Sequence, residues 1–345
     1  MKTFKCGCGS QLYFENTLCL SCNKKVAYDF TTDTMNRLSE LNSDYYLTDS
    51  NKKVKLCKNF SEYNVCNALI PYDSKSDLCI SCQLNRTIPN LEFSDNIKKW
   101  AKLEKSKRRL VRSLLKLGLP VTSYSQSESG IAFDFIQDQQ QNPNVHNEFV
   151  TTGHYKGLIT INLAEADDIH LENTKSELGE QYRTPLGHLR HESGHYYFDL
   201  LINDSSWLDT FREIFGNEQS DYQQALDRYY QSKPHTNWNQ NYISEYAMVH
   251  PLEDWAECWA HYLHMVDTLE SAQNLNILDF DDNNDIDAQL YNWANLSIAM
   301  NELNRSMGLN DAYPFILNTD VVKKLCFLDQ VIDPNYVPTQ QVGVD

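Results

Sequence analysis

The sequence predicts an α+β protein in which a small N-terminal module of short strands and turns precedes a mostly helical domain. Three observations carry that expectation. Eight of the 10 cysteines crowd into two groups of four before residue 83, the pattern of metal-stapled knuckles. Beyond residue 93 apolar residues recur at helical spacing over long stretches. Only two short segments there alternate as strands do. The expected divisions are residues 1–92 for the cysteine module, 93–119 for a basic linking helix, 120–333 for the helical domain and 334–345 for a loosely ordered tail.

At 345 residues the chain is long enough for two or three separate cores. No apolar run approaches the roughly 20 residues of a membrane span. Met1-Lys-Thr-Phe-Lys-Cys6 runs straight into cysteines without a signal-like apolar stretch, so a cytoplasmic location is expected. The net charge of −17 conceals an asymmetry. Residues 1–119 carry 20 Lys and Arg against 12 Asp and Glu (+8), and the remainder carries 10 against 35 (−25).

Cys6, Cys8, Cys19 and Cys22 form the first cysteine group and Cys57, Cys66, Cys79 and Cys82 the second, while Cys258 and Cys326 stand apart. Each group ends in a C-x-x-C pair, a spacing that lets two thiolates of one tight turn grip the same ion. Two four-cysteine structural zinc sites are expected. The rivals are a disulfide framework, which needs an oxidising compartment that nothing else suggests, and redox chemistry, which needs C-x-x-C between a buried strand and a helix. Short strands suit the surroundings of the knuckles, and residues 26–56 are expected to be mixed loop and short helix.

After Asn85-Arg-Thr-Ile-Pro89 a helix is expected from Ser94 or Asp95 to about Leu117, stopped by Gly118 and Pro120. Trp100, Leu103, Leu110, Leu114 and Leu117 make its core stripe, and Lys98, Lys99, Lys102, Lys105, Arg108, Arg109 and Arg112 fill much of the rest. A solvated basic face is expected, with nucleic acid or an anionic membrane as the sharper alternative and the chain's own acidic half as the simplest partner. Residues 123–130 and 137–144 read as loops around a strand at 131–136. A second strand, at 158–163, is expected to be a sheet edge on which an extended peptide could pair. One helix is expected near 173–182 and another from Thr184, with Pro185 in its first turn.

That last helix carries His191-Glu192-Ser193-Gly194-His195. Residues four apart sit one above the other on a helix, so His191 and His195 can offer two imidazole nitrogens to one metal ion. Glu192 is then aimed at the metal-bound water as general base. His188 lies on the same face and could replace one of the pair, although only the 191/195 pair leaves a glutamate correctly placed. Asp199, four residues after His195, could hold an imidazole from behind. A third protein ligand is expected from Glu253-Asp-Trp-Ala-Glu257, opened by His250-Pro251. Glu253 and Glu257 are one turn apart, so one can bind the metal while the other takes the free ring nitrogen of a ligand histidine. An ordinary acidic helix start would explain Glu253 and Asp254 but leave Glu257 unexplained. His261 and His264 are rival ligands.

The order His-Glu-x-x-His then Glu-x-x-Ala-Glu resembles the gluzincin group of metallopeptidases, which implies a zincin-like fold. In that group the first glutamate of the second motif is a ligand and the acidic residue four later supports one; the resemblance maps these onto Glu253 and Glu257. In the catalytic domain of anthrax lethal factor, a member of the group, a tyrosine seven residues before the third ligand stabilises the oxyanion. That position here is Tyr246, and His250 is a second candidate. Up to about residue 275 the chain is similar still more closely to a bacterial family of zinc-binding metallopeptidases with an N-terminal zinc ribbon. The two cysteine groups, Asn85-Arg-Thr-Ile-Pro89, Tyr182-Arg-Thr-Pro-Leu-Gly-His-Leu-Arg-His-Glu-Ser-Gly-His-Tyr-Tyr197 and His250-Pro-Leu-Glu-Asp-Trp-Ala-Glu-Cys-Trp-Ala-His-Tyr-Leu-His264 carry that similarity.

The resemblance implies a zinc metallopeptidase with a catalytic ion and a peptide or protein substrate, which with the two cysteine sites makes one catalytic and two structural ions; the ribbons either recruit a protein partner or brace the catalytic domain. The alternative is a zinc-ribbon regulator that binds protein or nucleic acid and has an inactive or latent zincin domain. Glu192, which binds no metal and adds little to stability, argues for turnover. Between the two motifs, residues 207–241 are rich in aromatics (Phe211, Phe215, Tyr222, Tyr229, Tyr230, Trp238) and are expected to form helices roofing the cleft. Asp279-Phe-Asp-Asp-Asn-Asn-Asp-Ile-Asp287 lacks the glycine and closing glutamate of a calcium loop and reads as an acidic loop capping a helix at 288–307.

Overall fold

Antiparallel β-structure fills the N-terminal region of the computed structural model, which describes residues 1–139, 150–168, 170–171, 184–232, 236–279 and 285–333. The helix expected near 173–182, most of the 137–144 loop, the middle of the 279–287 loop and the 334–345 tail lie outside the described residues. By contact the chain divides into two compact units, one of Met1–Leu115, Val121–Leu189 and Asp267–Asp279, the other of Lys116–Pro120, Arg190–Val266 and Phe280–Asp345.

In the first unit, β1 (Phe4–Lys5) and β2 (Gln11–Leu12) form a hairpin whose turn presents Cys6 and Cys8. A six-stranded antiparallel sheet then runs in chain order through β3 (Leu18–Cys19), β4 (Lys24–Asp29), β5 (Thr34–Glu40), β6 (Tyr46–Thr48), β7 (Lys53–Leu56) and β8 (Leu69–Pro71). A bridge between Tyr28 and Ala68 brings its last strand back to β4. Residues 26–56 are therefore a β-meander, which corrects the expected mix of loop and short helix. Asp33 and Asn51, at φ 49° and 58°, supply tight turns that non-glycine residues other than Asn and Asp seldom make. β4 and β5, six and seven residues long, do not strictly alternate buried with exposed residues, and the other strands are too short to show a period. Tyr28 anchors the small core, edge-on to Phe4, Phe14 and Phe30 with centroids 5.9, 4.7 and 4.8 Å away.

After the single turn α1 (Lys58–Ser61), β9 (Asn85–Thr87) enters a second sheet with β10 (Ala132–Ile136), β11 (Gly153–Tyr155) and β12 (Leu158–Asn162). β10 pairs in parallel with β9 and β12, and β11 pairs antiparallel with β12. Both strands expected beyond residue 119 exist, but β12 is not the sheet edge: β10 and β11 bond it on either side. The edge falls to three-residue β11, too short to show a period.

Helix α2 (Ser94–Lys116) buries Trp100, Leu103, Leu110 and Leu114 as its periodicity requires. Its basic face is only partly solvated, which revises the expectation of a free cationic surface. Arg112 makes paired hydrogen bonds to Glu270 (2.7 and 2.8 Å) and Asp33 (2.9 and 3.0 Å). Lys107 is buried against Glu104 at 3.0 Å, Arg108 donates to the Val65 carbonyl, and Lys102 and Arg109 meet Asp168 and Glu15. Lys98, Lys105 and Lys116 remain exposed.

The second unit is built on α3 (Pro185–Leu201), α4 (Leu208–Phe215), α5 (Tyr222–Gln231), α6 (Pro251–Asn274), α7 (Ile286–Ser306) and α8 (Thr319–Ile332), although α3 and α6 each lend a turn or more to the first unit. Gly194 lets α3 lie close on α6, since a Cβ there would come within 2.9 Å of Ala256 Cα and 3.2 Å of Trp259 Cβ. Indole N–H groups lock the contact: Trp255 donates to the Gly194 carbonyl at 2.8 Å and Trp259 to Ser193 Oγ at 3.1 Å. Trp259 also stacks on Tyr197 at 4.8 Å. Among the described residues no helix is long and apolar enough to cross a membrane.

Candidate metal centre

The two cysteine groups each converge on a point, with all four sulfurs of a group within 4.8 Å of one another. Cys6 and Cys22 are 3.7 Å apart, Cys8 and Cys19 3.7 Å, and Cys66 and Cys79 3.8 Å. Four sulfurs about 2.3 Å from a tetrahedral zinc ion stand about 3.8 Å apart, whereas a disulfide needs about 2.05 Å. All ten cysteines are free thiols, so the disulfide framework is set aside. The second group is wholly buried, while Cys8 of the first is exposed. Within the buried group, Cys66 is lowered against its own burial by neighbouring thiols and the Arg108 guanidinium, and Cys79 is pushed up by burial. Such a set shares negative charge that a dication would satisfy.

The third convergence joins His191 and His195 on α3 with Glu253 near the start of α6. The two Nε2 atoms are 3.2 Å apart, and Glu253 Oε2 and Oε1 lie 3.0 Å from His191 Nε2 and 3.5 Å from His195 Nε2. Nitrogen and oxygen ligands on a tetrahedral zinc ion stand about 3.4 Å apart, so the set fits. Proton placement makes the same point. Glu257 Oε1 lies 2.6 Å from His191 Nδ1 and fixes the proton there, which turns the Nε2 lone pair toward the cluster. Glu253 Oε2 is buried without a hydrogen-bond partner. With the ring proton on Nδ1, two lone pairs would face each other at 3.0 Å, a contact that needs a cation, metal ion or proton, between them. Burial alone would pull the His191 pKa down, yet the Glu253 and Glu257 carboxylates raise it well above the usual imidazole range, and Glu253, despite its burial, is held well below the carboxylate range by His195 and His191. The site favours positive charge where these atoms meet, which a metal cation supplies in place of a ring proton. Glu257, despite its burial, is lowered to about 2 chiefly by His191.

Glu192 follows His191 on α3 and is buried. The Tyr246 ring is centred 6.0 Å from that of His191, and burial together with the Glu253 charge keeps its phenol protonated far above the usual range. His250 is occupied on both nitrogens: Leu252 N–H donates to Nδ1 at 3.2 Å, and Nε2 lies 3.0 Å from the Ser220 carbonyl and 2.8 Å from Ser220 Oγ. It closes the start of α6, which weighs against its presenting a proton to a substrate. His261 and His264 stand outside the three-residue cluster, bonded instead to Tyr313 OH (2.8 Å) and Arg190 Nη1 (2.6 Å), and burial lowers both, His261 to about 4. His188 is also outside it and lies 3.1 Å from Glu165. Asp199 is exposed and makes no hydrogen bond to His195, so it acts on that ring only through charge. Two contacts have no sequence signal: Ser244 Oγ donates to Glu257 Oε2 at 2.6 Å, and the Tyr222 hydroxyl donates to Glu253 Oε1 at 2.7 Å.

Residues 96–331 match the family described as "Putative zinc-binding metallo-peptidase". The chain belongs to this family. Residues 3–93 match a zinc-ribbon domain. Proteins of Mycobacterium tuberculosis (strain ATCC 25618 / H37Rv) and Mycobacterium bovis (strain ATCC BAA-935 / AF2122/97), both described as uncharacterized, are each 38% identical over 352 aligned residues, covering 98% of this chain and 98% of theirs. No solved structure matches the chain significantly.

Proposed function

We propose that this family member is a cytoplasmic zinc metallopeptidase that hydrolyses peptide bonds of a peptide or protein substrate. His191, His195 and Glu253 would hold the catalytic ion, and Cys6, Cys8, Cys19, Cys22 and Cys57, Cys66, Cys79, Cys82 two structural ones. The observation that carries this is the convergence of two imidazole nitrogens and a buried carboxylate oxygen that has no hydrogen-bond partner, with the buried Glu192 next in sequence to His191.

Zinc, when bound, supplies a Lewis acid that makes water nucleophilic near pH 7 and polarises a carbonyl. Glu192 takes the proton of the attacking water on its carboxylate and hands it to the leaving amine. Glu257, steadied by Ser244, keeps the His191 proton on Nδ1. Tyr246 keeps its hydroxyl hydrogen at neutral pH and donates it to the carbonyl oxygen as negative charge grows there. The ribbons brace the catalytic domain or recruit a protein partner.

The test compares wild type with Glu192→Gln on a proteome-derived peptide library, with zinc counted per chain. About three zinc ions in both and cleavage by wild type alone is the expected result, one ion for each cluster. Equal cleavage by the two proteins, or none by either, overturns the proposal.

A further inference from the structure

We infer that Tyr222 is a positioning residue for the third ligand, its hydroxyl occupying Glu253 Oε1 so that Oε2 alone is offered to the ion. The inference rests on the metal site proposed above. Both oxygens of Glu253 are within reach of the cluster, Oε2 at 3.0 Å from His191 Nε2 and Oε1 at 3.5 Å from His195 Nε2. A carboxylate that used both would fill the position a catalytic zinc site must keep open for water or substrate. The Tyr222 hydroxyl sits 2.7 Å from Oε1 and, facing a carboxylate, donates to it. Oε2, buried and without a hydrogen-bond partner, is left as the oxygen with a lone pair to give.

The fold builds this contact rather than leaving it to chance. Tyr222 is the first residue of α5, and the Asp221 side chain caps that helix by accepting from Gln224 N–H at 2.9 Å. The residue before the cap, Ser220, is gripped by His250 at the start of α6, the helix that carries Glu253. The Tyr222 ring also stands edge-on to His250, centroids 5.3 Å apart. Two helix starts are thus tied together where the Tyr222 phenol reaches the ligand. At 39% exposure Tyr222 could satisfy its hydroxyl with water, yet it turns it to a buried carboxylate. Hydrogen bonds of this kind to a metal ligand typically change metal affinity or activity by about ten- to a hundredfold.

Full-length Tyr222→Phe and wild type would be compared for affinity at the third site by chelator competition, leaving the cysteine-held zinc in place. Cobalt(II) would then be loaded into that site alone and its visible spectrum recorded. The expected result is a loss of affinity of about ten- to a hundredfold, with a weaker cobalt band as coordination number rises and an unchanged thermal midpoint when the third site is left empty. Wild-type affinity and an unchanged cobalt spectrum in Tyr222→Phe would overturn the inference, and lost affinity with an unchanged spectrum would overturn the single-oxygen assignment. A wild type that takes up only the two cysteine-held ions would overturn the metal site itself, an outcome distinct from the others.

Discussion

His191 is held at both ends, its Nε2 facing the cluster and its Nδ1 against Glu257, which in turn accepts from Ser244. Replacing Glu257 by Gln keeps the shape but removes the charge that favours the ligand form of the ring. Zinc affinity at the third site should fall by about ten- to a hundredfold. Ser244→Ala should have a smaller effect in the same direction, because a carboxylate remains on Nδ1. Chelator competition on the folded proteins measures both; a Glu257→Gln protein with wild-type affinity would show that the Nδ1 contact does not tune the ion. The side chains legible in the sequence are those whose placement follows from one turn of helix: His191 with His195, and Glu253 with Glu257. Tyr222 and Ser244 reach the site from a helix start and a loop, where no period says which way a side chain points. Asp199 shows the converse. Its spacing from His195 offered a contact, but its carboxylate meets that ring through charge and not through a hydrogen bond.

Helix α3 contains a glycine where an isolated helix would be steadier with alanine by about 1 kcal/mol. The close approach of α6 accounts for it, since an alanine methyl would meet Ala256 Cα at 2.9 Å. Overpacking of this sort costs about 1–3 kcal/mol, which outweighs the gain in helix propensity. Gly194→Ala should therefore lower the urea midpoint of the zinc-loaded protein. It should also weaken the third zinc site, because the two helices that carry its ligands are pushed apart. An unchanged or raised midpoint would mean that the helices adjust freely and that the glycine is not there for packing. Elements of this length were legible: α2, α3 and α6 each show several turns of apolar period or a motif tied to helical spacing. The meander over 26–56 was not, because its two longer strands lack a strict alternation, the others are short, and its turns rely on Asp and Asn at positive φ, residues equally at home in loops. The place of β12 inside its sheet depends on β11, which is three residues long.

The opposite charges of the two halves were plain in the sequence and pointed to the chain's own acidic residues as partners of the basic helix, but which residues pair was not legible, because the pairing spans long separations. Arg112 on α2 joins Asp33, 79 residues earlier, to Glu270, 158 residues later. Both Arg112 and Glu270 are almost fully buried, and Glu270 lies on the same helix as Glu253, in the turns that α6 contributes to the first unit. Basic residues that suggested a surface for nucleic acid are thus partly consumed inside the molecule. Removing the guanidinium takes the bidentate partner from a buried carboxylate but leaves it the Met1 ammonium at 2.9 Å, so the cost should fall below the roughly 3–5 kcal/mol of a buried pair stripped of its only partner. Arg112→Met should accordingly lower the thermal midpoint of the zinc-loaded protein, and Arg112→Lys should recover only part of it, since an ammonium cannot make the two pairs of parallel bonds that Arg112 makes. Melting curves of the three proteins decide the matter. Full recovery by lysine would show that charge alone suffices, and a wild-type midpoint for Arg112→Met would show that the two carboxylates do not depend on their arginine.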